Sequence, residues 1–196
     1  MPPKGEATRR AILDHALRLA STDGLERLSI GNLADAAGMS KSGLFAHFRS
    51  KEQLHLAVLA ETSDRFVSKV LAPALRELRG ERRLRSLFDS WMRWEKEEFP
   101  GGCIFQAAAT ELDDQPGPVR DFLVATQRDL FDTLATVVRQ GIEAGNLRAD
   151  IDPEQAAFEI LSIMLGYHRM HRLMRARGAD RRARAAFDAL LERLRS

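Results

Sequence analysis

The stretch from Ala36 to Lys51 contains no carboxylate, yet it holds Ser40, Lys41, Ser42, His47, Arg49 and Lys51. Hydroxyls, an imidazole and unopposed cations are the groups that donate to phosphate oxygens and to the acceptor edges of bases. A window free of acids is what a phosphate-facing surface requires. Lys41 suits two tasks, donation to guanine O6 and N7 or neutralisation of a phosphate. His47 can donate to a phosphate or cover the end of its helix, and Arg49 adds long-range attraction. The net charge is only +2, and residues 1–55 hold eight cations against six acids, so the signal lies in the distribution of charge rather than in its sum.

Two further groups could do chemistry. Cys103, in PGGCIF, would be a redox or electrophile sensor if a helix N-terminus stabilised its thiolate; as a packed small apolar side chain it would be inert. His168 and His171 have a spacing that zinc ligands use, but no cysteines or clustered acids accompany them, which favours ordinary pocket or interfacial histidines. With no glycine-rich phosphate loop, paired metal-ligand motif or nucleophile elbow, the chain is expected not to be an enzyme and to need no cofactor or metal.

The elements that would position the 36–51 window are short helices. Ile12, Leu13, Ala16, Leu17 and Ala20 recur at helical spacing over residues 8–22, and Gly24 stops that helix. Ser29 caps a second helix with Ile30, Leu33, Ala34 and Ala37 on its apolar face, and Gly38 ends it in a tight turn. Ser40 caps a third through Phe48, with Phe45 and Phe48 packing it on the first two. Ser50 with Gln53 opens a fourth, which continues to about Leu71, before Pro73 interrupts it. Two short helices joined by a glycine turn make a helix-turn-helix, whose second helix inserts into a DNA groove.

Downstream the pattern remains helical, with segments near 81–98, 103–113, 117–144, 153–176 and from 180 to the end. Gly145 serves as a C-cap, and Asp152, Pro153 and Gln155 form an N-terminal cap. The expected fold is all-α, with a helix-turn-helix domain over 1–50 and a larger helical domain over 51–196. Phe88, Trp91, Met92, Trp94, Phe105, Met164, Tyr167 and His168 form the expected ligand-binding set, since aromatic and methionine walls suit an apolar or aromatic small molecule. The arginines between Arg172 and Arg184 read as a solvated helix end. At 196 residues, 44% hydrophobic and 30% charged, the composition is that of a globular protein with a sizeable core. No apolar run reaches a membrane span, and MPPKGEATRR lacks a secretory signal's hydrophobic stretch, so the expected location is the cytoplasm.

Residues 8–55 carry a long ordered pattern: TRRAILDHA, then SIGNLADAAGMSKSGLFAHF, then RSKEQL. In these the chain resembles the tetracycline-repressor (TetR) family of bacterial transcriptional regulators, and GNLRADIDPEQAA is similar to the joint before that family's last long helix. The resemblance implies a ligand-responsive homodimeric repressor. It would bind a near-palindromic double-stranded DNA operator, pair through the helices near 117–144 and 153–176, and release DNA when a small-molecule effector binds. It places Ser29, Ser40, Lys41, Ser42, Gly43 and Leu44 at the DNA, with Phe45, His47 and Lys51 against the phosphate backbone. Family members often have glycine then threonine where this chain has Ser42 and Gly43, and usually tyrosine at Phe45. Phe45 cannot donate to phosphate, which shifts the expected base contacts onto Lys41 and Ser42. The alternative is an architectural DNA-binding protein without effector, its second half too tightly packed for a ligand.

Overall fold

The computed structural model describes residues 4–196, leaving aside the side chains of Lys4 and Glu6. Its described residues are helical, with one isolated bridge between Leu147 and Arg195. The helices are α1 (Lys4–Asp23), α2 (Ile30–Ala37), α3 (Lys41–His47), α4 (Lys51–Phe66), α5 (Ala72–Leu75), α6 (Glu81–Glu97), α7 (Ile104–Leu112), α8 (Pro118–Glu143), α9 (Pro153–His168) and α10 (Ala179–Leu194). They form two compact units, one comprising the residues up to Val67 together with Trp94–Ala125, the other Ser68–Arg93 together with Thr126–Ser196.

In the first unit the five apolar positions of α1, Ile12 to Ala20, are all buried. Leu28, Leu33, Leu44, Phe48 and Leu54 join them, each contributing about 1.5–3 kcal/mol by leaving water. Helix ends follow the caps. The Ser29 side chain accepts from the Asn32 amide while the Asn32 side chain accepts from the Ser29 amide, a reciprocal box that opens α2. Gly38, at φ 64°, closes it. Ser40 Oγ accepts from the Gly43 amide at 3.1 Å, and Ser50 Oγ from the Gln53 amide at 3.1 Å. Arg65 on α4 bonds Asp14 of α1 and, at 2.8 Å, Glu61.

Pro73 does not interrupt the fourth helix. A π-helical turn, Val67–Leu71, carries the chain on into α5, where Pro73 occupies a first-turn position. A first-turn residue has no intrahelical acceptor for its amide, so the missing N–H costs nothing there. A second π turn, Arg169–Leu173, extends α9 almost as far as expected.

In the second unit Phe88 stacks on Phe187, with ring centres 4.1 Å apart, and Trp91 meets Tyr167 edge-on at 5.6 Å. Asp152 caps α9 by accepting from the Glu154 and Gln155 amides. The arginines from Arg172 to Arg184 are exposed, as expected of a solvated helix end, although Arg184 also bonds Asp89; further on, the exposed Arg195 bonds Glu81 at 2.6 and 2.8 Å. Arg195 and Arg85 together hold the Glu81 carboxyl down at about 2.

Candidate nucleic-acid interface

Helix α3 is short, capped and held from one side. Leu44 and Phe48 are buried beneath it, and Arg9 of α1 lies over the Phe48 ring at 5.5 Å. Ser40, Lys41, Ser42, Phe45 and Ala46 face outward, with Gly43 and His47 half-buried and Lys51 exposed at the start of α4. The outward set of α3 contains no acid.

Two expected positions are corrected. Leu44 is fully buried, so it anchors the helix and is out of reach of DNA. Phe45 does not pack against α1 and α2: 54% of it is exposed, which leaves its ring on the outer face. In a helix of seven residues only one side chain in three or four can point inward, and Leu44 with Phe48, one turn apart, fill that row. Ser29 serves the capping box that opens α2, bonded at 2.8 and 3.2 Å to Asn32.

Gly31, in the first turn of α2, also belongs to this surface. A methyl group added there would lie 3.6 Å from Lys41 Cε and 3.7 Å from its Nζ. The ammonium of Lys41 thus sits over the first turn of α2, where free amides and the helix dipole already favour an anion. A glycine in the first turn of a helix beside a lysine-bearing helix was the local signal. Ser42 Oγ lies 3.2 Å from Ser40 Oγ and remains exposed.

His55 supports this assembly from α4. Its Nε2–H donates to the Leu28 carbonyl at 2.9 Å, so the neutral form of the buried ring carries its proton on Nε2. Burial outweighs that bond and the charges of Glu111 and Glu26, and with Lys51 nearby it holds the ring below the ordinary histidine value. A base whose folded pKa is depressed contributes stability that is complete above the unfolded value of about 6.5 and is lost as pH falls through the folded value. The first unit is therefore expected to melt at lower temperature as pH drops below about 6.5, and His55→Gln to flatten that dependence. Melting curves for the two proteins between pH 5 and 8 check this.

Cys103 sits at the N-cap of α7, but it is buried and its thiol is pushed up to about 11 by desolvation and by the nearby Glu95 charge. Burial wins over the helix terminus, and the thiolate a sensor needs is suppressed. Iodoacetamide at neutral pH is expected to leave Cys103 unmodified in the native protein while alkylating the urea-unfolded chain. Rapid native labelling would contradict the assignment.

The expected ligand-binding residues are divided between the two units. Trp94 and Phe105 belong to the first unit, each edge-on to Phe66 at 5.3 and 6.4 Å. Phe88, Trp91, Met92, Met164, Tyr167 and His168 belong to the second, all buried except the half-buried His168. His171 stacks on Tyr167 at 5.2 Å, a packing role for that histidine.

Comparison with known proteins agrees with this geometry. Residues 12–58 match the model of bacterial regulatory proteins of the tetR family, and residues 80–187 match the tetracyclin repressor-like C-terminal domain. The chain is 28% identical over 157 residues to the HTH-type transcriptional repressor KstR2 of Mycolicibacterium smegmatis, covering 76% of this chain and 73% of that one. It shares its fold with a TetR transcriptional regulator from Chloroflexus aurantiacus, at TM-score 0.85 and 24% identity, over 96% of this chain and 94% of the other. It is also similar to AibR, solved in complex with isovaleryl coenzyme A and operator DNA, at TM-score 0.74 and 26% identity over 95% and 97% of the two chains. No helix among the described residues is long and apolar enough to cross a membrane. Matched in both its helix-turn-helix and its C-terminal segment, the chain belongs to the tetR family of DNA-binding transcriptional regulators, and not to a family of enzymes.

Proposed function

We propose that this protein is a homodimeric repressor that leaves a near-palindromic operator when a small-molecule effector binds. The observation that carries the reading is the outer face of α3, where Lys41, Ser42 and Phe45 stand exposed on a helix capped by Ser40 and anchored by Leu44. Two copies with these helices about 34 Å apart would enter successive major grooves. Lys41 over the first turn of α2 fixes the register on a phosphate, Ser42 reaches base edges, and Phe45 lies on sugar or thymine methyl.

Pairing is supported by α9. Phe158 and Leu165, seven residues apart on that helix, are 60% and 52% exposed, a spacing of two turns on one face. Exposed large apolar side chains in register are what a second helix pair would cover, together with α8.

An effector is supported by the fold shared with AibR, at TM-score 0.74 and 26% identity. AibR shows that a protein of this fold can hold an acyl-coenzyme A and operator DNA together. Release requires only that the effector prefer the non-binding arrangement by about 1–3 kcal/mol. Acting on chromosomal DNA, the protein works in the cytoplasm.

The test is selection of bound duplexes from fragmented genomic DNA. The expected product is a fragment with two related half-sites 10–10.5 base pairs apart, or a multiple of that spacing. Recovery of fragments with no shared sequence would overturn the reading in favour of architectural binding.

A further inference from the structure

The segment joining α1 to α2 is gripped from outside the helix-turn-helix. Glu111, in the last turn of α7, accepts a hydrogen bond from the Glu26 amide on Oε2 at 2.9 Å, across 85 residues of sequence. Gly24, which ends α1 at φ 92°, passes so close that a Cβ there would lie 2.2 Å from Glu111 Oε1. One turn on, Gln115 Nε2 donates to the Glu111 carbonyl at 2.9 Å and reaches Glu26 Oε2 at 3.5 Å. Ahead of α7, the Gly101 amide donates to Ser21 Oγ at 3.2 Å, and a Cβ on Gly101 would meet the Ser21 carbonyl oxygen at 1.6 Å. From α4, His55 holds the Leu28 carbonyl. The turn is thus fixed at Gly24, Glu26 and Leu28, immediately before Ser29 begins α2.

Two of these glycines can be nothing else. Gly24 needs a left-handed backbone, and at Gly101 the backbone itself fills the room of a side chain. Both surfaces are therefore closely fitted. Glu111 and Gly101 lie within residues 80–187, the segment matched to the regulatory half of the family. Helix α2 packs on α3 and leads into it through the Gly38 turn, so whatever sets the start of α2 bears on the angle at which α3 is presented.

We propose that Glu111 is a positioning residue for DNA recognition, holding the α1–α2 turn, and through it α2 and α3, from the regulatory segment of the chain. The inference rests on the reading of α3 as the DNA-reading helix. It gives movement of α7 a direct route to the reading helix through the α1–α2 turn.

The test uses the full-length protein, the duplex recovered by its own selection and a scrambled duplex of equal length. Wild type, Glu111→Ala and Glu111→Gln are compared by duplex affinity, melting temperature and hydrogen exchange of the Glu26 amide. Glu111→Ala is expected to weaken the selected duplex by about tenfold, within the usual range of intersite coupling, and to speed exchange at Glu26. Its affinity for the scrambled duplex, which depends on charge rather than on the angle of α3, is expected to be unchanged. Glu111→Gln keeps an acceptor oxygen and is expected to recover most of the loss. Native affinity in the alanine variant, parallel loss of both duplexes with a lower melting temperature, or no recovery with glutamine each overturn the proposal. The Lys41→Ala, Ser42→Ala protein separates the two levels. If it keeps native affinity, the reading of α3 has failed and the positioning role with it. If it loses the selected duplex while Glu111→Ala holds it, the positioning role alone is wrong.

Discussion

Lys41→Ala, Ser42→Ala is expected to cost about 1–3 kcal/mol at each half-site, or about 5- to 150-fold, and the cost is incurred twice in a two-fold complex. The melting temperature should stay near that of the wild type, because both side chains are exposed and neither supplies the hydrogen bond that caps α3. Single variants divide the work between them. If Lys41 serves a phosphate, as its place over Gly31 indicates, Lys41→Ala weakens all duplexes alike and lowers the salt slope by about one per subunit. If Ser42 reads a base edge, Ser42→Ala relaxes preference at one position of each half-site and leaves the salt slope alone. Anisotropy titrations at several salt concentrations measure both quantities, and native affinity in the double variant would contradict the assignment of the reading surface.

The second large effect is expected from α9. Phe158→Glu, Leu165→Glu places two charges on the face proposed to pair, and like charges meeting across a two-fold axis are unfavourable on both copies. Because both positions are exposed in the single chain, the helix should keep its fold, with Ile160, Met164 and Tyr167 still buried beneath it. Sedimentation should then report a monomer. Operator affinity should fall by about 10²- to 10⁴-fold, since each reading helix loses the effective concentration supplied by its partner. A variant that still sediments as a dimer would move the pairing surface elsewhere, and a monomer with undiminished affinity would remove the need for pairing altogether.

What was legible in the sequence was mostly local. Ser29, Ser40, Ser50 and Asp152 each accept an amide bond at the helix start they were expected to cap, and Gly38 and Gly145 take the left-handed conformation at helix ends. These signals depend on a few neighbouring residues, and so they survive folding unchanged. Which side chain of α3 points inward was not legible, because a helix of two turns offers too few apolar positions to define a face. Leu44 and Phe45 are adjacent and both apolar, and only the packing of α3 against its neighbours decides between them. Pro73 misled for a different reason: proline breaks a helix interior but not a first turn, and the π turn before it resets which turn is first. The aromatic set was legible as buried, yet its division between the units was not, since Trp91 and Trp94 lie in one helix but belong to different units. The bond from Glu26 to Glu111 has no local signature at all.

The central claim is that two copies of α3 read adjacent major grooves, and methylation interference on the selected duplex tests it most directly. Guanine N7 faces the major groove and adenine N3 the minor, so the pattern of blocked positions reports which groove is occupied. The account predicts interference at guanines in two patches 10–10.5 base pairs apart, weakened in the Lys41→Ala, Ser42→Ala protein. A single patch, or interference confined to adenines of the minor groove, would contradict it.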